Sequence, residues 1–166
     1  MEFGLMFANT GPFARPDGAK AIGQAAESAG FDSIWTVEHV LIPVGYKSEY
    51  PYDKSGRMPG DGMGDIPDPL IWLTYVAAHT STIKLGTGIL IVPQRNPGVL
   101  AKEVATLDVL SNGRMILGVG AGWLEEEFDA LGVPFTRRGK RLDDHLTAMR
   151  ALWTQKEASH DGEFSS

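Results

Sequence analysis

Four short apolar runs constrain this chain more than any other feature. Each is closed by glycine, asparagine or proline, or by a change to charged residues, and each is followed by a segment with helical character. They are "EFGLMF" (2–7), "SIWTV" (33–37), "IKLGTGILIV" (83–92) and "RMILGVG" (114–120). The runs are apolar on both faces rather than alternating, the pattern of strands in a parallel sheet covered by helices. Behind Asp17, read as a helix cap, Ala19, Ile22, Ala26 and Ala29 recur at helical spacing, and Gly30 stops that helix. Asp68-Pro69 and Asn96-Pro97 each pair a capping side chain with proline at the first helical position. The second pair opens a helix in which Leu100, Val104, Leu107 and Leu110 form one stripe, ended by Asn112-Gly113. Helices are expected near 123–131 and 137–153, the latter with Leu142, Leu146, Met149 and Trp153 on one face. The order is βαβαβαβα, an α/β chain with a parallel sheet.

Composition removes several function classes. The 166 residues are 43% hydrophobic and 22% charged, enough for a single domain with its own core. A net charge of -6 argues against nucleic acid or an anionic membrane as partner. With no cysteine there is neither a disulfide framework nor thiolate chemistry. No segment reaches the roughly 20 apolar residues of a membrane span, and the N-terminal residues lack the charged and apolar regions of a secretory leader. The expected location is cytoplasmic.

"GVGAGW" (118–123) raises the question of a dinucleotide phosphate loop. A Rossmann fingerprint needs Gly-x-Gly-x-x-Gly, and an acidic residue about 20 positions on at a strand end. Here the spacing is Gly118-x-Gly120-x-Gly122, and the corresponding downstream region is helical. A Gly-Lys-Ser/Thr phosphate loop is also missing. The strand ends as a set are more informative. Asn9 to Gly11 follow the first run, Glu38-His39 the second, Gly86 and Gly88 lie in the third, and Gly120 and Gly122 end the fourth. Unusual residues at the C-terminal ends of successive parallel strands mark a (β/α)-barrel site. Glycines at two neighbouring strand ends favour a flat ligand against the backbone, with tight helix–strand packing as the alternative. The stretch 41–67 has no helical or strand period. It reads either as a functional loop, with Tyr46, Tyr50, Tyr52 and Arg57 as substrate contacts, or as a solvated insertion.

Among the four histidines only His39 stands at a strand end before a long loop. Glu38 and His39 are adjacent, so in an extended chain they point to opposite sides. Neither His-x-His nor His-Glu-x-x-His spacing is present, so no metal site is expected. Glu125 to Glu127 read as the first turn of a helix, where carboxylates suit the dipole.

Three stretches, "AAESAGFDSIWTVEHVLIP", "IKLGTGILIVPQRNPGVLAKEVATLDVLSNGRMILGVGAGWLEEEF" and "GVPFTRRGKRLDDHLTAMRALW", resemble the bacterial luciferase-like family of flavin and deazaflavin enzymes. The nearest resemblance is to its probable coenzyme F420-dependent oxidoreductases. The family fold is a (β/α)8 TIM barrel. The resemblance covers nearly the whole chain and only the first half of that barrel. It implies that 1–166 is the N-terminal half, truncated after the fourth βα unit, with 41–67 a loop insertion at the C-terminal face. The implied function is hydride transfer between F420 and a small organic substrate. An FMN-dependent monooxygenase, or a non-catalytic half barrel that only associates, are the alternatives. His39 would lie beside the reacting face of the ring and donate a hydrogen bond or proton. Gly88-Ile89 is the best match to a non-proline cis peptide that supports the ring from behind, with an ordinary glycine bulge as the alternative. Phe7 and Asn9 would line the floor of the site, with Gly120 and Gly122 also against the cofactor. Sugar-phosphate dehydrogenases of the family carry a catalytic Glu directly after the last glycine, where this chain has Trp123. A half barrel would also expose some of Leu5, Phe7, Ile34, Leu85, Leu90, Ile116 and Val119, together with two strand edges. A homo-oligomer, or membership of a longer chain, is the expected consequence.

Overall fold

The computed structural model describes residues 1–59 and 64–166, so positions 60–63 of the long loop lie outside the described residues. The chain divides into two compact units. The first is Met1–His39, Gly64–Leu90 and Glu103–Val119; the second is Val40–Met63, Ile91–Lys102 and Gly120–Ser166.

The first unit is built on a four-stranded parallel sheet. β1 (Gly4–Leu5), β2 (Ser33–Thr36), β3 (Lys84–Thr87) and β5 (Met115–Ile116) lie side by side in that order. The register pairs Leu5 with Ile34, Thr36 with Thr87, and Gly86 with Ile116. α1 (Pro16–Ser28) and α2 (Pro69–Ala77) connect the strands. Parallel neighbours need such crossovers. Ile34, Leu73, Val76, Ile83, Leu85 and Leu107 are the core, all essentially inaccessible to water. Each contributes about 1.5–3 kcal/mol on burial. Asp68 caps α2 as expected, its Oδ1 accepting from the N–H of Leu70 at 2.9 Å and of Ile71 at 3.0 Å. Asn96 does the same for α3 (Pro97–Leu110), accepting from Gly98 and Val99 at 3.0 and 3.1 Å.

Several elements differ from the sequence reading. Asp17 lies inside the first turn of α1. The N-cap is Arg15, and Pro16 takes the first helical position after a 3-10 turn at Gly11–Ala14. Leu110 is 67% exposed, because the buried stripe of α3 runs Leu100, Val104, Leu107 and then Ser111, four residues on rather than three. The third apolar run breaks into β3 and β4 (Leu90–Ile91) around a cis peptide between Gly88 and Ile89. The fourth breaks into β5 and β6 (Val119–Gly120) at Gly118, where a Cβ would come within 2.1 Å of the Thr87 carbonyl oxygen. Thr87 takes up both polar groups of Gly118, donating to its carbonyl at 2.7 Å and accepting from its N–H at 3.0 Å.

The N-terminal edge of this sheet is held by two half-buried clamps. The Glu27 carboxylate accepts from the N–H groups of Ser81, Thr82 and Ile83 at 2.7–3.1 Å. Arg114 donates to the carbonyls of Ala77, Thr80, Ile83 and Ser111 and to the Thr80 hydroxyl. Burial acts to raise the Glu27 carboxyl, and the three N–H groups outweigh it, bringing it down to about 2.

The second unit contains α4 (Glu125–Ala130), α5 (Arg138–Thr154) and the segment that begins at Val40. Phe128 is its centre, fully buried and edge-on to Phe135 with ring centroids 5.4 Å apart. The buried face of α5 is Arg141, His145, Ala148, Met149 and Ala151. Trp153 stays 40% exposed, its indole N–H donating to the Ala101 carbonyl at 2.9 Å. Two polar residues displace the leucine face because each finds a backbone acceptor. Arg141 donates to the Pro134 carbonyl at 2.6 Å and lies 4.8 Å from the Phe164 ring centroid. His145 bonds the Val92 carbonyl, and burial keeps its imidazole pKa below the ordinary value.

Candidate functional site

Five of the predicted site residues lie together at the C-terminal edge of the parallel sheet, in the first unit. Phe7 and Asn9 follow β1, His39 follows β2, and Gly88 and Ile89 follow β3. Backbone bonds tie these strand ends to each other. Ala8 N–H donates to the Trp35 carbonyl at 3.0 Å, and Gly88 N–H to the Thr36 carbonyl at 2.7 Å.

Within this edge the side chains divide by task. Asn9 is fully buried. Its amide donates to the carbonyls of Val37 and Pro67, and its Oδ1 accepts from Val37 N–H at 2.9 Å. It is therefore a clip that fixes the end of β2 beside the end of β1. Phe7 is 60% exposed and has φ 59, so the chain turns out of β1 with its ring toward solvent. Ile89 is partly exposed, Glu38 is buried and His39 half-buried. This edge thus presents apolar Phe7 and Ile89 together with one imidazole.

Gly120 and Gly122 fall in the second unit. Gly122 has φ 80, and a Cβ there would meet Phe128 at 2.7 Å and Ile91 at 2.9 Å. Backbone conformation and packing within its own unit thus require glycine at this position. Directly after it, Trp123 packs edge-to-face with two loop tyrosines. Its ring centroid is 5.6 Å from that of Tyr46 and 5.1 Å from that of Tyr50, at interplanar angles of 75° and 71°.

Residues 40–58 of the loop are folded rather than simply solvated. The Tyr46 hydroxyl accepts from Met58 N–H, Arg57 donates to the Tyr46 carbonyl at 2.8 Å, and Tyr50 N–H donates to the Gly56 carbonyl at 2.9 Å. Two carboxylates of α4 hold it. Glu127, fully buried, accepts from Val40 N–H at 2.7 Å and Leu41 N–H at 3.2 Å. Glu126 accepts from Lys47 N–H at 2.6 Å, Ser48 N–H at 3.2 Å and the Ser48 hydroxyl at 2.7 Å. Lys47 N–H foremost, then the Ser48 hydroxyl, bring the Glu126 carboxyl down to about 2. Ser48 in turn accepts from Glu125 N–H at 3.2 Å, capping a helix whose own N-cap, Leu124, has no capping side chain. The sequence reading assigned Glu125–Glu127 only to the helix dipole. Their partners lie 77–87 residues away, and no local pattern marks them.

A cavity of about 660 Å³ lies elsewhere in the second unit, between the start of α3 and the C-terminal tail, with Asn96, Gly98, Ala148, His160 and Phe164 in its wall. None of the candidate site residues lines it. Its chemistry is that of tail docking. Asp144 accepts from Glu163 N–H, Phe164 N–H and the Ser165 hydroxyl, and pairs with His160 at 3.3 Å.

A parallel α/β sheet with its polar and exposed groups at the C-terminal strand ends is the layout on which (β/α)-barrel enzymes build their sites. The luciferase-like monooxygenase family model matches residues 1–166, and the chain belongs to that family. Its parallel strands and connecting helices form half of the family's TIM barrel. The protein Rv0953c of Mycobacterium tuberculosis (strain ATCC 25618 / H37Rv) is 43% identical over 144 residues, 87% of this chain and 51% of that protein. The F420-dependent glucose-6-phosphate dehydrogenase of Kineococcus radiotolerans is 36% identical over 143 residues, 84% of this chain and 37% of that protein. Among solved structures, the monooxygenase RslO1 from Streptomyces bottropensis superposes with a TM-score of 0.78 at 28% identity, covering 99% of this chain and 46% of that one. The chain thus spans about half the length, or less, of these relatives.

Proposed function

We propose that this chain supplies the first four βα units of an oxidoreductase that uses the deazaflavin F420 and acts on a small organic substrate. The observation that carries the reading is the apolar, partly exposed pair Phe7 and Ile89 beside half-buried His39, at the ends of three adjacent parallel strands. A flat ring fits such an edge. Phe7 and Ile89 offer it apolar contact, Gly88 keeps the backbone low behind it, and Asn9 holds the floor rigid. His39 would donate a hydrogen bond or a proton to the reacting partners. F420, when bound, supplies two-electron hydride transfer. Similarity to F420-dependent dehydrogenases at 34–36% identity supports the choice of cofactor. Trp123 occupies the place that, by resemblance, holds a carboxylate in sugar-phosphate dehydrogenases, so the reading does not extend to glucose 6-phosphate.

A second reading is an FMN-dependent monooxygenase, and the likeness to the monooxygenase RslO1 favours its reaction class. Fluorescence titration of the complete barrel carrying this chain, with F420 and separately with FMN, tests the two. Tighter binding of F420 without O2 consumption is expected. Tighter FMN binding with O2-consuming turnover would replace the first reading by the second.

A further inference from the structure

We propose that Trp35 is the floor of the cofactor site: its indole lies flat on the open face of the parallel sheet and fixes the depth at which a flat ring comes to rest beside His39. The inference deepens the oxidoreductase reading and rests on it for the identity of that ring.

Three observations within the first unit carry it. First, the two faces of the sheet differ. Side chains alternate along each strand, and the register sets Ile34 beside Leu85 and Thr36 beside Thr87. All four are fully buried. The opposite face carries Trp35 beside Gly86, and Trp35 is only half-buried. Second, the indole lies across the neighbouring strands instead of standing up from its own. A Cβ on Gly4 of β1 would come within 2.7 Å of the indole Nε1, and one on Gly86 of β3 within 2.3 Å of the six-membered ring. A side chain at either position would lift the ring, so the chain's own indole takes the room that these two glycines leave. Its N–H is satisfied by the Ser33 hydroxyl at 2.8 Å, and the plate therefore presents only carbon to what lies above it. Third, the plate ends at the candidate site. A Cβ on Gly88 would stand 3.6 Å from the same six-membered ring and 3.0 Å from the terminal methyl of Met6. Trp35 and Met6 thus meet beneath Gly88, and the residues that follow Met6 and Gly88 are the exposed pair Phe7 and Ile89. An indole in this place bars a flat ligand from sliding down the glycines of the sheet. It leaves the ligand across the strand ends, where His39 is.

The test has two arms. On the 166-residue chain, saturation-transfer NMR with indole as probe compares the wild type with Trp35→Ala. An apolar hollow left by a truncated side chain takes up a small aromatic molecule, so Trp35→Ala is expected to bind indole about tenfold more tightly than the wild type. Equal binding by the two folded chains would overturn the proposal. In the complete barrel that carries this chain, the absorption band of bound F420 is compared at saturation. Trp35→Phe should shift the band. Trp35→Ala should shift it further and weaken F420 binding about threefold to tenfold, the range for loss of one aromatic contact. Added indole should reverse both effects in Trp35→Ala and change nothing in His39→Ala. A ring that only filled the barrel core would leave the band of the folded variants unmoved, and that result would overturn the proposal. Trp35→Phe carries this arm if Trp35→Ala does not fold. A wild-type barrel that binds FMN and not F420 would remove the choice of cofactor alone, and the same comparison is then read on the FMN band.

Discussion

Glu27→Gln removes one charge at the N-terminal edge of the sheet and nothing at the opposite edge, where the candidate site lies. In the structure this carboxylate gathers three consecutive N–H groups, Ser81 to Ile83, immediately before β3. Its pKa is brought from the ordinary 4.5 down to about 2. At about 1.4 kcal/mol per pH unit, that depression corresponds to about 3 kcal/mol for a fully shielded group. Glu27 is half-exposed, and solvent screening reduces this to about 1 kcal/mol. The sign follows from the depressed value. The contribution is fully present above the unfolded pKa near 4.5 and is lost as pH falls from there toward 2. A glutamine keeps one acceptor and sets an NH2 group against the same donors, so it cannot replace the carboxylate. Urea unfolding of the wild type and Glu27→Gln at pH 7, 5, 4 and 3 should show a gap of about 1 kcal/mol at pH 7 and 5 that shrinks by more than half at pH 3. A gap below about 0.5 kcal/mol at pH 7, or one of constant size down to pH 3, would refute the reasoning.

Three further outcomes are expected. In the complete barrel that carries this chain, His39→Ala should slow the chemical step by about 10²–10⁴-fold in single-turnover measurements, with a smaller change in cofactor affinity. An unchanged rate would make His39 structural. Ser48→Ala removes the cap that α4 borrows from the loop and should cost about 1 kcal/mol. Hydrogen exchange at the Glu125 and Lys47 amides should speed up with it, and unaltered protection at both would refute the mutual capping. Phe3, Met6 and Phe7 are all more than half exposed on or beside β1, which among the described residues pairs on one side only, with β2. Phe3→Ser with Met6→Ser should therefore reduce self-association of the 166-residue chain in sedimentation at micromolar concentration. An equally monomeric wild type would show that this surface is not adhesive.

How far the sequence alone reached depends on the range of the interactions involved. The order of strands and helices, the caps at Asp68 and Asn96, the turn at Asn112-Gly113, and the strand-end position of His39 are local or periodic features. A reader of the chain can find them because hydrophobic spacing and capping chemistry act within a few residues. The Gly88-Ile89 position came from resemblance, and the structure has its cis bond there. The glycine run was less transparent. Gly118 belongs to the run whose spacing fails as a phosphate loop, and Gly122 reads as a cofactor glycine, but the spacing says nothing of the Thr87 carbonyl opposite the missing Cβ of one or of Phe128 and Ile91 opposite that of the other. Which atoms stand opposite a missing Cβ is settled only by the pairing of distant segments. The same holds for the face of α5. There Arg141 and His145 displace leucines, because carbonyls of Pro134 and Val92 receive them and make burial of polar groups tolerable. It holds most of all for Glu126, Glu127 and Ser48, whose partners are some 80 residues distant. Sequence spacing determined which segments became strands and helices. Only the tertiary structure decided which buried donors met which acceptors, because that matching depends on side-chain positions that no local period encodes.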